Sequence, residues 1–277
     1  MKEEEKKTFL VKPSKGVLCM GVLLLCLFLL LLLFLLPAFR IQKVTVLGCR
    51  VLHEQEIVET ADIQLGAHIF SNISGSVSSI FSLRYGNIEN TLRETFPFIE
   101  EVSVSISFPS GVEINVKERM RIGYIKMSDG YAIIDRNGYI VLLSGENPPA
   151  DVPLFSGITI SSAVLSEKIE MENEEQLDTC LAILNAVLLS DQDKKEEDDF
   201  FLMSAVRDIR YVDKGTSMIS LSIPSREDPL VVRLGSLDDI EKDMQWLRYA
   251  ILQNTFTDTN EKGVFDMSGE DYTFRKT

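Results

Sequence analysis

Histidine and cysteine, the side chains that most often carry catalysis or bind metal ions, are scarce in this chain. The sequence contains two histidines, His53 and His68, and four cysteines. The histidines have no cysteine or aspartate cluster near them, and their separation matches no common zinc-binding motif. Cys49 is close to His53, but the pattern predicts that one ends a strand and the other begins a helix. We therefore predict no metal site, no cofactor and no Cys–His catalytic pair.

Pairs of carboxylates are the other candidates for chemistry, because two acidic side chains across a cleft can hydrolyse a glycosidic bond. Asp238 with Asp239 and Glu196 with Glu197 are such pairs. Sugar-binding clefts usually also present aromatic platforms, whereas this chain has one tryptophan, Trp246. The nucleophile-elbow, phosphate-loop and zinc-helix motifs are absent from the sequence as well. We predict a protein without catalytic residues that is not an enzyme, with a membrane-anchored cell-wall hydrolase as the alternative.

The cysteines divide into two pairs. Cys19 and Cys26 fall within a long apolar run, and Cys49 and Cys180 follow it. The spacing of the second pair fits no disulfide framework. Cys180 also lies on the apolar stripe of a predicted helix. We expect two buried thiols, and a bridge between them is the alternative.

An apolar run of twenty residues begins at Val17 and ends at Leu36; it carries no charge and contains twelve leucines. A helix of that length is about 30 Å long, which matches the hydrocarbon core of a bilayer. A cleaved signal peptide fits less well, because its apolar segment is shorter and is followed by small residues. We predict a retained transmembrane helix over residues 17–39.

The charges that flank the run predict its orientation. An excess of lysine marks the cytoplasmic side of a membrane. Five lysines precede the run: Lys2, Lys6, Lys7, Lys12 and Lys15. Residues 1–16 are therefore predicted to be a cytoplasmic tail, and the chain after Arg40 to be extracytoplasmic. The formal net charge of −14 argues against binding to nucleic acid, because an acidic surface repels phosphates.

Residues 40–119 have the pattern strand–helix–helix–strand–strand. Apolar and polar residues alternate over 102–108 and again over 112–116, and a period of two is typical of half-buried strands. Two helices are predicted before these strands, at about 53–59 and 87–95. The elements indicate one compact unit of helices and strands.

Residues 120–277 are predicted to form a mostly antiparallel β domain with flanking helices, so the fold class of the whole chain is α+β. The pairs Asp129-Gly130 and Asn137-Gly138 supply the positive φ that hairpin turns need. An acidic helical insert is predicted at about 166–200. Strands are predicted at 123–127, 131–135, 139–143, 202–211, 218–223, 230–234, 263–267 and 272–275.

The last predicted strand, 272–275, suggests a binding surface. No later segment of this sequence can pair with its free side, so its N–H and C=O groups can accept a strand from a partner. A short, solvated edge with no partner is the alternative.

The order of these features resembles the FtsQ/DivIB bacterial cell-division proteins, which have a short basic tail, one membrane span, a POTRA domain of β-α-α-β-β order and a β domain. Short segments that occur in the family's order support the resemblance. They are VTVLG at 44–48, FPFI at 96–99, INVKER at 114–119, IDRNG at 134–138, VPLFSG at 152–157, VRLG at 232–235 and VFDMS at 264–268. The departures are the acidic insert, the lack of a long C-terminal tail and a missing arginine before Phe108-Pro109.

The resemblance implies a divisome scaffold in the cell membrane, enriched at the septum, that binds FtsL-type and FtsB/DivIC-type bitopic proteins. It also implies help in regulating septal peptidoglycan synthesis, and no small-molecule substrate. In the family, the FtsB-type partner adds a strand to the end of the β domain. By position, the residues expected to bind it are Phe265, Met267, Tyr272, Phe274 and Arg275. Because POTRA domains also occur in secretion machinery, an assembly factor is a further alternative.

Overall fold

The computed structural model describes residues 15–34, 36–145, 147–192, 200–224, 226–256, 262–269 and 271–276. The chain divides into two compact units, Met1–Arg93 with Glu101–Lys117, and Glu94–Glu100 with Glu118–Thr277. Both units combine helices and strands, so the expected α+β class is confirmed. Residues 1–14 of the predicted cytoplasmic tail and residues 193–199 of the predicted acidic insert lie outside the described residues.

The first helix, α1, spans Lys15–Phe34 and covers most of the apolar run. Its side chains include exposed leucines, such as Leu23 at 70% exposure. Among the helices of the described ranges, none is both long and apolar enough to cross a membrane. A short 3-10 helix, Pro37–Phe39, follows α1 and leads into the folded part of the first unit.

The first unit contains a three-stranded sheet and three helices after α1. Its elements are β1 Lys43–Leu47, α2 Glu54–Ala61, α3 Val77–Phe81, α4 Gly86–Thr95, β2 Ile99–Ser107 and β3 Gly111–Glu118. The sheet order is β1-β3-β2, and β1 is parallel to β3. This is the predicted strand–helix–helix–strand–strand order with one additional short helix, α3.

The alternation read from the sequence places apolar side chains of β2 and β3 in the core. Val104 and Ile114 are fully buried there, as is Leu92 of α4. Gly48 closes β1 with a φ of +90°, and a Cβ at this position would lie 2.0 Å from the carbonyl oxygen of Val116. The end of the VTVLG segment therefore requires glycine for both backbone conformation and space.

Helix α3 was not predicted, because its five residues lie in a serine-rich stretch without apolar periodicity. The Ser76 hydroxyl accepts a hydrogen bond from the Ser79 N–H at 3.2 Å, which caps the helix. Phe81 at its end is 85% exposed. The capping serine is the signal from which this helix could have been predicted.

The second unit is built around a nine-stranded sheet. Its strands and helices are β4 Arg121–Met127, β5 Gly130–Asp135, β6 Ile140–Ser144, β7 Leu154–Ser156, β8 Ile160–Ser162, β9 Glu170–Met171, α5 Glu174–Gln192, α6 Leu202–Ala205, β10 Val206–Asp213, β11 Thr216–Leu221, β12 Leu230–Leu234, α7 Ile240–Leu252, β13 Gly263–Met267 and β14 Thr273–Lys276. The order in the sheet is β14-β13-β12-β11-β10-β7-β4-β5-β6.

Most neighbours in this sheet are antiparallel, as predicted, but β7 is parallel to both β4 and β10, and β12 is parallel to β13. Helices α5 and α7 pack against each other, and α5 also packs on β10. The predicted apolar stripe of α5 is buried, including Leu177 and Leu184. Cys180 lies on this stripe and its Sγ donates to the Ile209 carbonyl oxygen at 3.7 Å.

Burial raises the pKa of the Cys180 thiol to about 12, which makes it an inert core residue. Cys49 is partly exposed instead. The expectation of two buried thiols therefore holds for one of them.

The predicted strand over 202–211 is wrong for its first four residues, which form α6. The cause is distant in sequence: the Asp191 carboxylate at the end of α5 accepts hydrogen bonds from the N–H groups of Leu202 at 2.7 Å and Met203 at 2.9 Å. Arg248 of α7 lies 3.4 Å from the same carboxylate. This long-range cap stabilises a helical turn that no local pattern indicates.

Candidate partner-binding edge

Strand β14 lies at one end of the nine-stranded sheet, and its one neighbour among the described strands is β13. The register pairs Phe265 with Phe274 and Val264 with Arg275. The sequence predicted this strand at 272–275, one residue earlier than it is observed. A strand at the end of a sheet can offer N–H and C=O groups along its outer side to an added strand.

The five residues predicted to bind a partner occupy two kinds of position. Phe265 and Met267 of β13 are only 6% and 3% exposed, so they belong to the core. Tyr272 and Phe274 are partly exposed, and Arg275 is exposed. The first two can therefore act only by supporting the edge, whereas the other three can contact another molecule directly.

Aromatic rings from α7 and from the β13–β14 hairpin pack together beside this edge. Trp246 stacks on Phe265 with ring centroids 5.7 Å apart and an interplanar angle of 9°. Tyr272 meets the Trp246 ring edge-on at 4.8 Å. Trp246 is 38% exposed, and Tyr249, one helical turn further on, is 61% exposed. We did not predict these two residues as part of the site; aromatic residues beside the apolar stripe of α7 are the signal that indicates them.

Tyr272 also connects the hairpin to α7 through a hydrogen bond. Its hydroxyl donates to Asp243 Oδ1 at 2.6 Å, and Asp243 is buried. Burial, and then the hydrogen bond to this carboxylate, raise the pKa of Tyr272 to about 12. The neutral phenol is the form that the folded protein favours.

We expect the Tyr272→Phe variant to lose stability less steeply than the unsubstituted protein at alkaline pH. A raised pKa contributes stability that is complete below the unfolded-state value of about 10 and is lost as the pH rises towards 12. Urea unfolding followed by Trp246 emission at several pH values measures the difference. Tyr249→Phe, at an exposed tyrosine of α7, is the matched control, and equal slopes in all three proteins would contradict the prediction.

A buried carboxylate on β13 also links three strands near this edge. Asp266 Oδ1 accepts hydrogen bonds from the Ser268 hydroxyl at 2.6 Å and the Ser268 N–H at 3.0 Å. Asp266 Oδ2 lies 3.0 Å from Arg275 of β14 and 3.8 Å from Arg233 of β12. The two Ser268 hydrogen bonds, with smaller contributions from the arginines, lower the pKa of Asp266 although burial opposes the shift.

No cluster of three or more metal-binding side chains occurs among the described residues. The geometry at this edge offers backbone groups, an aromatic surface and an arginine, all of which occur in protein-binding surfaces.

Comparison with known proteins identifies the first unit. Residues 39–119 match the model of the FtsQ-type POTRA domain. The chain is also similar to DivIB of Clostridium acetobutylicum, with 24% identity over 138 residues that cover 50% of this chain and 51% of the relative. DivIB of Clostridium botulinum strain Hall is also 24% identical to this chain, over 237 residues that cover 85% of this chain and 80% of the relative. The chain is thus similar to DivIB and FtsQ cell division proteins, and residues 39–119 match the FtsQ-type POTRA domain.

The extent of these matches differs between relatives. DivIB of Pediococcus pentosaceus is 27% identical over 176 residues, which are 62% of this chain and 45% of the relative. The chain thus spans about half the length of the DivIB proteins of Clostridium acetobutylicum and Pediococcus pentosaceus. A solved structure, the major extracytoplasmic domain of DivIB from Geobacillus stearothermophilus, is 14% identical, covers 50% of this chain and 97% of its own, and has a TM-score of 0.31.

Proposed function

We propose that this chain is a non-enzymatic scaffold of the division machinery. It binds FtsL-type and FtsB/DivIC-type proteins and helps regulate septal peptidoglycan synthesis. The proposal is supported by the FtsQ-type POTRA domain and by relatives named as cell division proteins. In this layout residues 40–119 are the POTRA domain and residues 120–277 the β domain, with an acidic helical insert at about 166–200.

The proposal includes a membrane anchor over residues 17–39, with a cytoplasmic tail at 1–16 and both domains outside, enriched at the septum. Its support is the uncharged run from Val17 to Leu36, which is helical wherever it is described apart from its last residue. The excess of lysine on the N-terminal side of the run favours this orientation. Alkaline extraction of membranes and protease protection of the tail test this part separately.

The observation that carries the proposal is the position of β14 at the end of a sheet, beside an aromatic surface. Tyr272, Phe274 and Arg275 can contact a strand added along β14, while Phe265 and Met267 hold the hairpin in the core. Backbone hydrogen bonds supply affinity in strand addition, and side chains at alternate positions supply specificity. Trp246 and Tyr249 extend the surface that such a partner would meet.

We expect a proline scan of β14 to separate binding from folding. In an antiparallel pair, successive residues direct their N–H and C=O groups alternately towards the neighbour and away from it. Proline removes the N–H, so two alternate positions among residues 273–276 should lose the partner and keep their thermal stability. The two intervening positions should instead lower the melting temperature. Capture of the FtsB/DivIC-type protein from solubilised membranes, beside a thermal melt, measures both effects.

The control is proline at Leu143 of β6, the strand at the opposite end of the same sheet. This variant should keep the FtsB/DivIC-type partner. If all four β14 variants fold and still capture that partner, the division role stands and the binding site lies elsewhere. If the unsubstituted protein captures neither bitopic protein, the proposed function itself is wrong.

A further inference from the structure

We propose that the first unit lies against the membrane surface through a cluster of four aromatic side chains, Phe39, His68, Phe70 and Phe108. This inference rests on the proposed membrane anchor, whose last residue is Phe39, and adds to it a second lipid contact made by His68, Phe70 and Phe108 of the folded domain. The contact would fix the orientation of the POTRA domain on the bilayer.

The four rings form one continuous group. His68 and Phe70 have ring centroids 5.4 Å apart, and Phe39 lies 6.5 Å from each of them. Phe108 extends the group, 6.0 Å from Phe70. Phe108 is 57% exposed, and the other three rings are partly exposed. An exposed aromatic group of this kind usually marks a surface that contacts another apolar phase or a partner.

The cluster begins three residues after the apolar run, without a flexible linker. The Phe39 carbonyl oxygen accepts the Ile69 N–H at 2.9 Å, and the Ile41 N–H donates to the Ala67 carbonyl oxygen at 2.9 Å. The Gln42 N–H donates to the Ser110 carbonyl oxygen at 2.8 Å. Backbone hydrogen bonds therefore join residues 39–42, directly after the apolar run, to the two loops that carry His68, Phe70 and Phe108.

This tether limits how far the cluster can lie from the bilayer. Three extended residues span at most about 11 Å, and the headgroup layer adds roughly 5–7 Å to each face of the hydrocarbon core. The 3-10 helix Pro37–Phe39 makes the actual separation of Leu36 and Phe39 shorter than the extended limit. With the anchor in place, Phe39 is thus held in or next to the headgroup layer, at the depth where the Trp, Phe and Leu side chains of interfacial segments are buried.

Two exposed cations beside the cluster fit a lipid surface better than other occupants. Arg40 and Lys43 are exposed, and the Arg40 guanidinium donates to the Gly66 carbonyl oxygen at 3.0 Å. These positive charges stand out in a chain with a net charge of −14. Rings that enter the interface together with cations that meet anionic headgroups are typical of peripheral membrane contacts.

The test places a tryptophan in the cluster of the full chain. Phe108→Trp is combined with Trp246→Phe, so that the new indole is the one tryptophan of the protein. The chain is reconstituted in vesicles of phosphatidylglycerol and phosphatidylcholine, with lipids brominated either near the carbonyl or near the methyl end. We expect a blue-shifted emission and a loss of intensity with the bromine near the carbonyl.

The matched control is Val51→Trp in the same background. Val51 is 59% exposed and follows β1, whose five residues lead away from Lys43 over about 16 Å. Its emission should be unaffected by either brominated lipid. If Phe108→Trp is quenched no more than Val51→Trp, the lipid contact is wrong. An emission that changes only when division proteins are added would equally overturn it, in favour of a protein occupant.

Alkaline extraction of the same vesicles distinguishes the inference from the proposal on which it rests. Protein that resists extraction while Phe108→Trp is not quenched keeps the anchor and refutes the aromatic contact. Protein that is released by alkali refutes both. Retention together with carbonyl-selective quenching supports both.

Discussion

Arg119→Met should lower the free energy of unfolding of the second unit by about 3–5 kcal/mol, because it leaves a buried carboxylate without its counter-charge. Arg119 Nη1 lies 2.6 Å from Asp135 Oδ2, and the two side chains are 11% and 2% exposed. The guanidinium also lies over the Tyr139 ring, 4.2 Å from its centroid. This substitution therefore removes both the ion pair with Asp135 and the contact of the guanidinium with the Tyr139 ring.

The other oxygen of Asp135 holds a hairpin. Oδ1 accepts the N–H groups of Asn137 and Tyr139, each at 2.9 Å. Asp135→Asn keeps an acceptor for these two donors but loses the charge that faces Arg119. Asp135→Ala loses the charge and both hydrogen bonds, so it should be the more destabilising of the two.

Urea unfolding followed by Trp246 emission measures these effects, since the single tryptophan lies in the same unit. The double variant Arg119→Met with Asp135→Asn should be less destabilised than the sum of the single variants, because neither charge is then left unpaired. Arg121→Met is a control, at an exposed arginine whose partner Asp151 is also exposed. Strict additivity, or an equal loss in the control, would contradict the prediction.

The second large effect is a loss of stability of β14 at acidic pH. Asp266 has a lowered pKa, chiefly because the Ser268 hydroxyl and N–H donate to its carboxylate. A lowered pKa contributes stability that is complete above the unfolded-state value of about 3.9 and is lost as the pH falls through the folded-state value. Protonation also removes the negative charge that faces Arg233 and Arg275.

We therefore expect β14 to loosen before the rest of the sheet as the pH falls below about 4. Hydrogen exchange of the β14 amides, compared with those of β11, measures this. Ser268→Ala should cost about 1.5–3 kcal/mol, since it removes a hydrogen bond to a charged group, and it should move the loosening to higher pH. Asp266→Asn should remove the pH dependence of the β14 amides. Exchange that accelerates equally in both strands would show that Asp266 does not control the edge.

The sequence predicted best those elements whose residues alternate or repeat along a single buried face. The strand at 230–234 was placed with its observed bounds and alternates in burial along the chain. The strand at 263–267 was also placed with its observed bounds, although its last three residues are all buried. A buried strand shows its period of two locally, whatever its partners are. The short strands β7, β8 and β9 were missed, because two or three residues carry no period and their pairing is decided by distant chain.

The position of the candidate edge strand was predictable in outline, but its contacts were not. The last predicted strand, 272–275, suggested a sheet edge, and β14 lies at one end of the nine-stranded sheet. The segments INVKER and IDRNG were recognised separately, yet nothing in either shows that Arg119 of one pairs with Asp135 of the other. Similarly, Trp246 beside an apolar stripe gave no indication that it stacks on Phe265. Contacts between elements depend on register and crossing, which a single sequence does not contain.

The long-range cap made by Asp191 has a consequence for how the chain can change in length. Its carboxylate holds the N–H groups of Leu202 and Met203, and Arg248 donates to the Phe200 carbonyl oxygen at 3.2 Å. The two ends of the charged stretch at 193–199 are thus kept together by groups outside it. Closure entropy grows slowly with the number of residues between two ends that are held together, by about 0.6 kcal/mol for each doubling. Extra residues, or an engineered tag, can therefore be accommodated at this point of the second unit with little loss of stability.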